Sequence, residues 1–320
     1  MKKMFVMFLA LTLFCLPVFA SAEEAVKTIG VIQYVQHVAL DSARDGFVQA
    51  LSDNGYVDGQ NIALDLQNAQ ADASNLATIS DRFVANNVDL VLAIATPAAQ
   101  SIAGKTTEIP ILGTAITDYV VARLIDSNEK PGTNVSGTTD MNPVADQIKL
   151  IQELFPDTKT VGVMYTSSED NSVLQAGMAK EAIEALGMNY VEATVTSSND
   201  VQQATQSIVD SCDAIYIPTD NVFASSMPVV YEVATAAKKP IIGGEAGMVK
   251  SGALATLGIN YYDLGYQTGL MAIRVLNGED ISAMPIETAA KMDYTFNSTY
   301  ASAIGYTIPE AYASFAEPMA

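Results

Sequence analysis

The feature that most constrains the fold is a regular alternation of short apolar runs with longer amphipathic stretches. Residues 28–33 are typical of a buried β-strand, and residues 40–54 follow with Phe47, Val48 and Leu51 on one helical stripe. The same order of strand and then helix recurs along most of the chain. This pattern predicts an α/β fold, with parallel sheets covered by helices on both faces.

The alternation divides into two runs of similar size, separated by a Gly/Thr-rich connection at 131–139. Two such runs predict two Rossmann-like lobes, each a parallel sheet flanked by helices, joined by a hinge with a ligand cleft between them. The predicted strands are 28–33, 61–66, 90–94, 109–113, 160–165, 189–193, 214–217, 240–243 and 253–258, and the predicted helices are 40–54, 75–87, 97–103, 143–155, 172–186, 201–211, 225–237 and 263–276.

Residues 1–22 have the pattern of a secretory signal peptide. Lys2-Lys3 precede an apolar run, and Ala20-Ser21-Ala22 fits a small-x-small cleavage site. The run is too short for a membrane span of about 20 residues. Cys15 does not follow the small residue that precedes a lipidated cysteine, so no lipid anchor is expected. The mature chain is predicted to be soluble, exported to the periplasm or the extracellular space, and monomeric.

The charge balance argues against nucleic acid as a partner. Lys and Arg total 16 against 36 Asp and Glu, which gives a formal charge of −20. This excess of negative charge repels a phosphate backbone. Nucleic acid is therefore not an expected partner, and the predicted cleft favours a small molecule instead.

Catalysis and metal binding find little support in the sequence. His37 is the only histidine, and Cys212 is the only cysteine after the predicted cleavage site, so a His/Cys metal cluster or a Cys–His pair cannot be assembled persuasively. No G-x-S-x-G elbow and no Gly-rich phosphate loop occurs. Carboxylate pairs of the glycosidase type stay open, because many acidic residues are present. We expect no enzyme activity, no cofactor and no metal.

The polar residues best suited to bind a ligand follow predicted strands, at the turn into the next helix. In open parallel sheets these positions meet at the ligand crevice. Helix capping is the alternative interpretation, since Ser, Thr, Asp and Asn satisfy free N–H groups at any helix start. The candidate ligand-binding residues are Gln33, Tyr34, His37, Thr96, Pro97, Ala98, Thr117, Asp118, Tyr119, Glu169, Asn171, Ser172, Thr219, Asp220, Asn221 and Glu245.

Three kinds of ligand contact are expected among these candidates. Thr96 and the proline after it suit a helix start, whose free N–H groups and dipole favour a ligand carboxylate. Asp220 could pair with a ligand ammonium, and a role as an N-cap is equally compatible. Tyr34, Tyr119 and Phe223 could supply an aromatic stacking wall, with packing at the lobe interface as the alternative.

Several segments together resemble the substrate-binding proteins of bacterial ABC transporters, in the subgroup associated with aromatic amino acids. They are GVIQYVQHVALDSARDGFVQAL, NGYVDGQNI, DLVLAIATPAAQ, MYTSSEDNS, IPTDN and INYYDLGYQTGLMAIRVLNGE. The resemblance implies the type I periplasmic-binding-protein fold, with three crossings between lobes. By that resemblance lobe 1 is 26–139 plus 262–285, and lobe 2 is 140–261 plus 286–320. One departure is Asp118-Tyr119, where many relatives carry Asp-Pro, so that an aromatic ring could reach the cleft.

The resemblance implies an exported solute-binding protein that closes two lobes around an amino-acid-like ligand, with an aromatic one favoured. Its partners would be the membrane permease and the ATPase of an ABC importer. Two alternatives from other functional classes stay open. One is a ligand-presenting sensor subunit for a membrane receptor, and the other is an exported hydrolase.

Overall fold

Two β-sheets, each covered by helices, make up the structure, a computed structural model that describes residues 26–319. The predicted signal peptide, with Cys15, lies outside the described residues. In chain order the elements are β1 (Lys27–Gln33), α1 (Val38–Asp53), β2 (Ile62–Asn68), α2 (Ala73–Ala85), β3 (Leu90–Ile94), α3 (Thr96–Ala103), β4 (Ile111–Ile116), β5 (Val135–Thr139), α4 (Val144–Leu154), β6 (Thr160–Thr166), α5 (Asp170–Ala185), β7 (Asn189–Val195), α6 (Val201–Ile208), β8 (Ala214–Ile217), α7 (Asn221–Ser225), α8 (Met227–Ala236), β9 (Ile241–Gly243), α9 (Ala246–Ser251), β10 (Ala255–Ile259), α10 (Tyr261–Leu276), β11 (Glu287–Thr288), β12 (Met292–Asn297), α11 (Ser298–Ile304) and β13 (Ala316–Glu317).

The first lobe is built on a six-stranded sheet with the order β11-β5-β4-β3-β1-β2, in which neighbouring strands are parallel. Its apolar core includes Phe47 of α1, Phe83 of α2 and residues of α10. Helix α10 follows a strand of the other lobe but packs along α1. A Cβ at Gly265 would overlap the carbonyl of Ala43, so glycine allows this close approach.

The second lobe is built on a seven-stranded sheet with the order β13-β12-β10-β9-β8-β6-β7. Only the pairing of β10 with β12 is antiparallel among its described strands. A separate apolar core includes Tyr216, Phe223 and Phe296, all fully buried. The predicted fold class, two α/β lobes with mostly parallel sheets flanked by helices, is confirmed.

The chain passes between the two sheets at three points, after β5, after β10 and after β11. Strand β11 pairs with β5, so the first sheet continues to Thr288, past the expected lobe boundary at residue 285. At the second crossing, Ile259 and Tyr261 already pack in the core of the first lobe. The lobes are therefore hinged through three adjacent segments rather than one linker.

The Gly/Thr-rich segment at 131–139, predicted only as a connection between the two runs, contains strand β5 in its second half. The segment lacks the usual apolar run, but its hydroxyl groups are satisfied when buried. Ser136 Oγ donates to the carbonyl of Met284 at 2.8 Å, and the Thr138 and Thr268 hydroxyls bond at 2.8 Å. Gly137 has φ 145°, a conformation that favours glycine. Small polar residues therefore form a buried strand here.

The predicted helix at 225–237 is two helices. Helix α7 starts earlier, at Asn221, because the Asp220 side chain accepts a hydrogen bond from the backbone N–H of Phe223 at 2.9 Å. Helix α8 then begins after Ser226, with Pro228 in its first turn, where its fixed φ and missing N–H are tolerated. Among the helices of residues 26–319, none is long and apolar enough to cross a membrane.

Candidate functional site

A narrow cavity of about 10 Å³ lies between the lobes, at the carboxyl ends of strands from both sheets. Among the described residues that line it, three are carboxylates and none is Lys or Arg. Apolar side chains form the rest of the wall, together with hydroxyl and amide groups. The lining residues are His37, Leu40, Ala115, Asp140, Asn171, Thr219, Asp220, Asn221, Ala224, Glu245, Met248 and Tyr261.

A chain of hydrogen bonds crosses from the first lobe to the second at one side of this cavity. His37 at the start of α1 bonds through Nε2 to Asn221 Oδ1 at 3.3 Å. Asn221 Nδ2 donates to Glu169 Oε2 at 2.5 Å. Asn171 Nδ2 donates to the carbonyl of Thr219 at 3.0 Å and to Glu169 Oε2 at 3.4 Å. Glu169, which precedes α5, thus holds the two asparagines that face the cavity.

A second chain of hydrogen bonds crosses the lobes through the hinge. Tyr261 OH donates to Asp140 Oδ2 at 2.7 Å, and Thr117 Oγ1 donates to Asp140 Oδ1 at 3.0 Å. Gln175 of α5 donates to Thr117 Oγ1 at 3.0 Å and also contacts the hydroxyl of Thr219. All five side chains are buried. The carboxylate of Asp140 therefore links two hinge segments to the second lobe.

Asp220 lines the cavity but is engaged by its own lobe. Its Oδ1 accepts from Phe223 N and from Thr166 Oγ1, both at 2.9 Å, and its Oδ2 accepts from Thr166 N at 2.6 Å. These contacts make Asp220 the N-cap of α7 and tie that helix to β6. Asp220 therefore has the capping role, while its pairing with a ligand ammonium stays a prediction.

The electrostatics of the site are those of buried acids without a cation. Burial, and then the nearby charge of Asp220, raise the pKa of Glu169 to about 8. Burial raises the pKa of Glu245 to about 7, and the pKa values of Asp140 and Asp220 also rise on burial. Burial lowers the pKa of His37 to about 4, so its ring is neutral at pH 7. The site therefore favours a positively charged ligand group.

Some predicted site residues lie beside the cavity rather than in its wall. Tyr34 is close enough to Glu169 and Asp220 for their charges to raise its pKa above its usual value, after the larger effect of burial. Thr96, at the start of α3, has a buried hydroxyl with no partner among the described residues. Pro97 and Ala98 form the first turn of the same helix. Glu245 lines the wall while it caps α9 through the N–H of Met248 at 2.7 Å.

Other predicted residues have structural roles away from the cavity. Gln33 Nε2 donates to Asp41 Oδ1 at 2.8 Å and so fixes the turn after β1. Asp118 accepts hydrogen bonds from the N–H groups of Val120 and Val121, both at 2.9 Å. These contacts agree with a capping role for Asp118. The structure does not bring these two residues into the cavity wall.

Two of the three rings proposed for the aromatic wall, Tyr119 and Phe223, lie in the cores of the lobes. Tyr119 is fully buried in the first core, where its hydroxyl donates to the carbonyl of Thr138 at 2.9 Å and its ring lies against Gly113 and Gly137. Phe223 is fully buried in the second core. The Tyr119 ring fits inward because the two glycines of neighbouring strands leave space for it. The aromatic residue in the cavity wall is Tyr261.

Sequence reasoning missed three buried polar residues of the site, Asp140, Gln175 and Tyr261. Tyr261 follows a predicted strand and could have been found by the rule that found the others. Asp140 follows β5, which lacks an apolar run, so its position gave no signal. Gln175 lies within α5, where a buried glutamine has no local sequence signature.

Comparison with known proteins agrees with this architecture. The sequence profile of the family described as ABC transporter substrate binding protein matches residues 28–319. A tyrosine-binding protein from Clostridioides difficile is 44% identical over 271 residues, which cover 85% of this chain and 79% of that protein. The resemblance drawn from the sequence is thereby confirmed.

Solved structures with the same fold include ligand-bound and open forms. The ABC domain from Streptococcus pneumoniae in complex with L-Trp is 38% identical, with a TM-score of 0.88 over 92% of this chain and 99% of that chain. The ligand-free, open structure of a substrate-binding protein with adhesive properties from Clostridium difficile is 45% identical, with a TM-score of 0.70 over 92% of this chain and 100% of that chain.

A leucine-binding protein from Thermotoga maritima shares the fold. It is 16% identical, with a TM-score of 0.62 over 79% of this chain and 83% of that chain. The architecture is that of the type I periplasmic binding proteins, as expected. The two lobes, the cavity between them and a family match over nearly all described residues lead to one assignment. The chain belongs to the family of ABC transporter substrate-binding proteins.

Proposed function

We propose that the mature protein is the exported, monomeric solute-binding component of an ABC importer. It captures one free amino acid with an aromatic side chain in the cavity between the lobes and delivers it to a membrane permease driven by an ATPase. The observation that carries this proposal is the interlobe cavity, whose wall combines buried carboxylates with apolar side chains and contains no Lys or Arg among the described residues.

The charged ends of an amino acid match two parts of the site. The buried acids would attract the ammonium group, since no protein cation in the described wall neutralises them. The unpartnered hydroxyl of Thr96, at the start of α3, would bind the carboxylate, which a helix N-terminus also favours. A zwitterion thus satisfies both sites at once.

The apolar part of the wall supports an aromatic side chain. Leu40 and Ala115 come from the first lobe, Ala224 and Met248 from the second, and the ring of Tyr261 completes the surface. The cavity of about 10 Å³ is far below the usual range for ligand pockets of about 300–1,000 Å³, so the lobes would have to move apart to admit an amino acid. The relatives that bind tyrosine and L-Trp support the same ligand class.

The arrangement of the lobes supports binding by closure. His37 bonds to Asn221, Gln175 bonds to Thr117, and Gln100 Nε2 donates to Asp170 Oδ2 at 2.8 Å, each across the cleft. The structure superposes better on the L-Trp complex than on the open, ligand-free relative, although the open relative is more similar in sequence. This favours a closed form that a ligand stabilises.

The contacts of His37 argue against a hydrolase. Its Nε2 bonds to Asn221 and not to a serine or cysteine, and its lowered pKa keeps it a weak base. The described site therefore lacks a serine or cysteine nucleophile paired with this histidine. Binding without chemistry accounts for the same residues.

Thermal denaturation with each of the free amino acids tests the proposal. Tyrosine, tryptophan or phenylalanine should raise the melting temperature more than aliphatic amino acids. A ligand at about 100 times its Kd adds about 2.7 kcal/mol to the free energy of unfolding. The control is 3-phenylpropionate, which has the ring and carboxylate but no ammonium. If no amino acid shifts the transition while a sugar or nucleoside does, the proposed ligand class is wrong.

A further inference from the structure

Three atoms near the cavity are buried without a hydrogen-bond partner among the described residues: Glu169 Oε1, Asn171 Oδ1 and His37 Nδ1. Glu169 is 1% exposed and Asn171 is 5% exposed. They belong to one chain of hydrogen bonds, because Asn171 and Asn221 both donate to Glu169, and Asn221 bonds to His37. Buried polar atoms are rarely left unpaired, so such a group of atoms indicates a missing partner.

The hydrogen bonds fix the polarity of these atoms. Asn171 Nδ2 donates to the carbonyl of Thr219, which can only accept, so the free atom of this amide is the acceptor Oδ1. Asn221 Nδ2 donates to Glu169, so Asn221 Oδ1 accepts from His37 Nε2. The proton of the neutral His37 ring is therefore on Nε2, and Nδ1 carries a lone pair. All three free atoms are acceptors.

We propose that Glu169 Oε1, Asn171 Oδ1 and His37 Nδ1 bind the ammonium group of the ligand, and that Glu169 rather than Asp220 supplies its counter-charge. This assignment rests on the proposed function. A primary ammonium has three N–H donors, which equals the number of these free acceptors. A phenol hydroxyl or an indole N–H offers one donor, and a carboxylate offers none and is repelled by Glu169.

The contacts of the two acids separate their roles. Asp220 already accepts hydrogen bonds from Thr166 and Phe223 through both of its oxygens. Glu169 receives its bonds on Oε2, which leaves Oε1 free. Because His37 belongs to the first lobe and Glu169 to the second, an ammonium held between them links the lobes in the closed form.

Isothermal titration of the mature protein with two ligands tests the assignment. The probes are L-tyrosine and 3-(4-hydroxyphenyl)propionate, which differs only in lacking the ammonium. The wild type should bind tyrosine more tightly. Glu169→Gln should weaken tyrosine binding by about 30-fold to several-thousand-fold, because the amide places a donor against the ammonium, and should leave the propionate nearly unaffected.

Two further variants keep the result interpretable. His37→Phe keeps a ring but removes the acceptor, and should reduce the preference for tyrosine by about tenfold or more. Glu192→Gln, on the exposed face of β7, should change neither ligand's affinity. If wild type binds tyrosine and both Glu169→Gln and His37→Phe keep its preference over the propionate, the assignment is wrong. If wild type binds no amino acid, the proposed function itself fails.

Discussion

Replacing Asp220 with alanine should destabilise the fold far more than it weakens ligand binding. The change removes the cap of α7 and the acceptor of both Thr166 groups, at 2.6 and 2.9 Å. Loss of an N-cap costs about 0.5–2 kcal/mol, and each buried donor left unsatisfied costs about 1–3 kcal/mol. With both Thr166 donors counted, the sum predicts a loss of about 2.5–8 kcal/mol in the free energy of unfolding.

Urea denaturation and calorimetric titration on the same preparation separate the two effects. Asp220→Ser is the matched control, since a serine can cap α7 but cannot also reach Thr166, so it should recover about 1 kcal/mol of the loss. The Kd for the amino acid should stay within about threefold of wild type in both variants. A folded Asp220→Ala protein with unchanged stability and an affinity lower by more than 30-fold would refute this reasoning. Asp220 would then be the residue that pairs with the ligand ammonium.

Three other changes have expected outcomes. Thr96→Val removes an unpartnered hydroxyl, so the free energy of unfolding should hardly change, while affinity for tyrosine should fall by about tenfold or more. Affinity for tyramine, which lacks the carboxylate, should not change in the same titration. Gln175→Leu removes the bond to Thr117 across the cleft and should weaken binding by about two- to tenfold, and small-angle scattering should show a smaller ligand-induced compaction than in wild type. Glu169 must be ionised to pair with an ammonium, and its pKa is raised to about 8. Affinity for the amino acid should therefore increase as the pH rises from 5.5 to 8, and binding should release a proton. An equally steep pH dependence in Glu169→Gln would contradict this. For the ligand-free protein the sign is opposite: the folded state binds the extra proton between pH 4.5 and about 8, so this carboxyl makes unfolding easier as the pH rises.

The sequence predicted the fold where a single physical signal dominates. Apolar runs such as Leu90–Ile94 and Ala214–Ile217 are buried strands whatever surrounds them, and both bounds agree with the structure. Strand β5 was not predicted because its buried hydroxyl groups bond to residues that are distant in sequence. Ser136 bonds to the carbonyl of Met284, and Thr138 bonds to Thr268 of α10. Burial that depends on a distant partner leaves no local pattern.

The candidate site shows the same limit. The rule that ligand residues follow strands brought His37, Asn171, Thr219 and Asn221 to the cavity, because strand order places those turns together. It could not tell a ligand contact from a cap. Asp118 and Asp220 both accept backbone N–H groups, whereas Glu169 keeps a free oxygen. That distinction depends on side-chain direction in three dimensions, which a single sequence does not contain.

The buried carboxylates explain why closure would depend on the ligand. Glu169 lies near Asp220, and Glu245 near Asp140, so that each pair combines burial with like charge. A closed cleft without a ligand must either hold these charges without a counter-ion or take up protons, and both disfavour it relative to an open, solvated cleft. A lysine in the wall would neutralise these carboxylates permanently, and the closed form would then be favoured with or without a ligand. The described wall has no such residue, and in the proposed function the ligand supplies the positive charge. On that proposal its ammonium would stabilise the closed form selectively, and this difference in affinity would shift the population of lobes from open to closed.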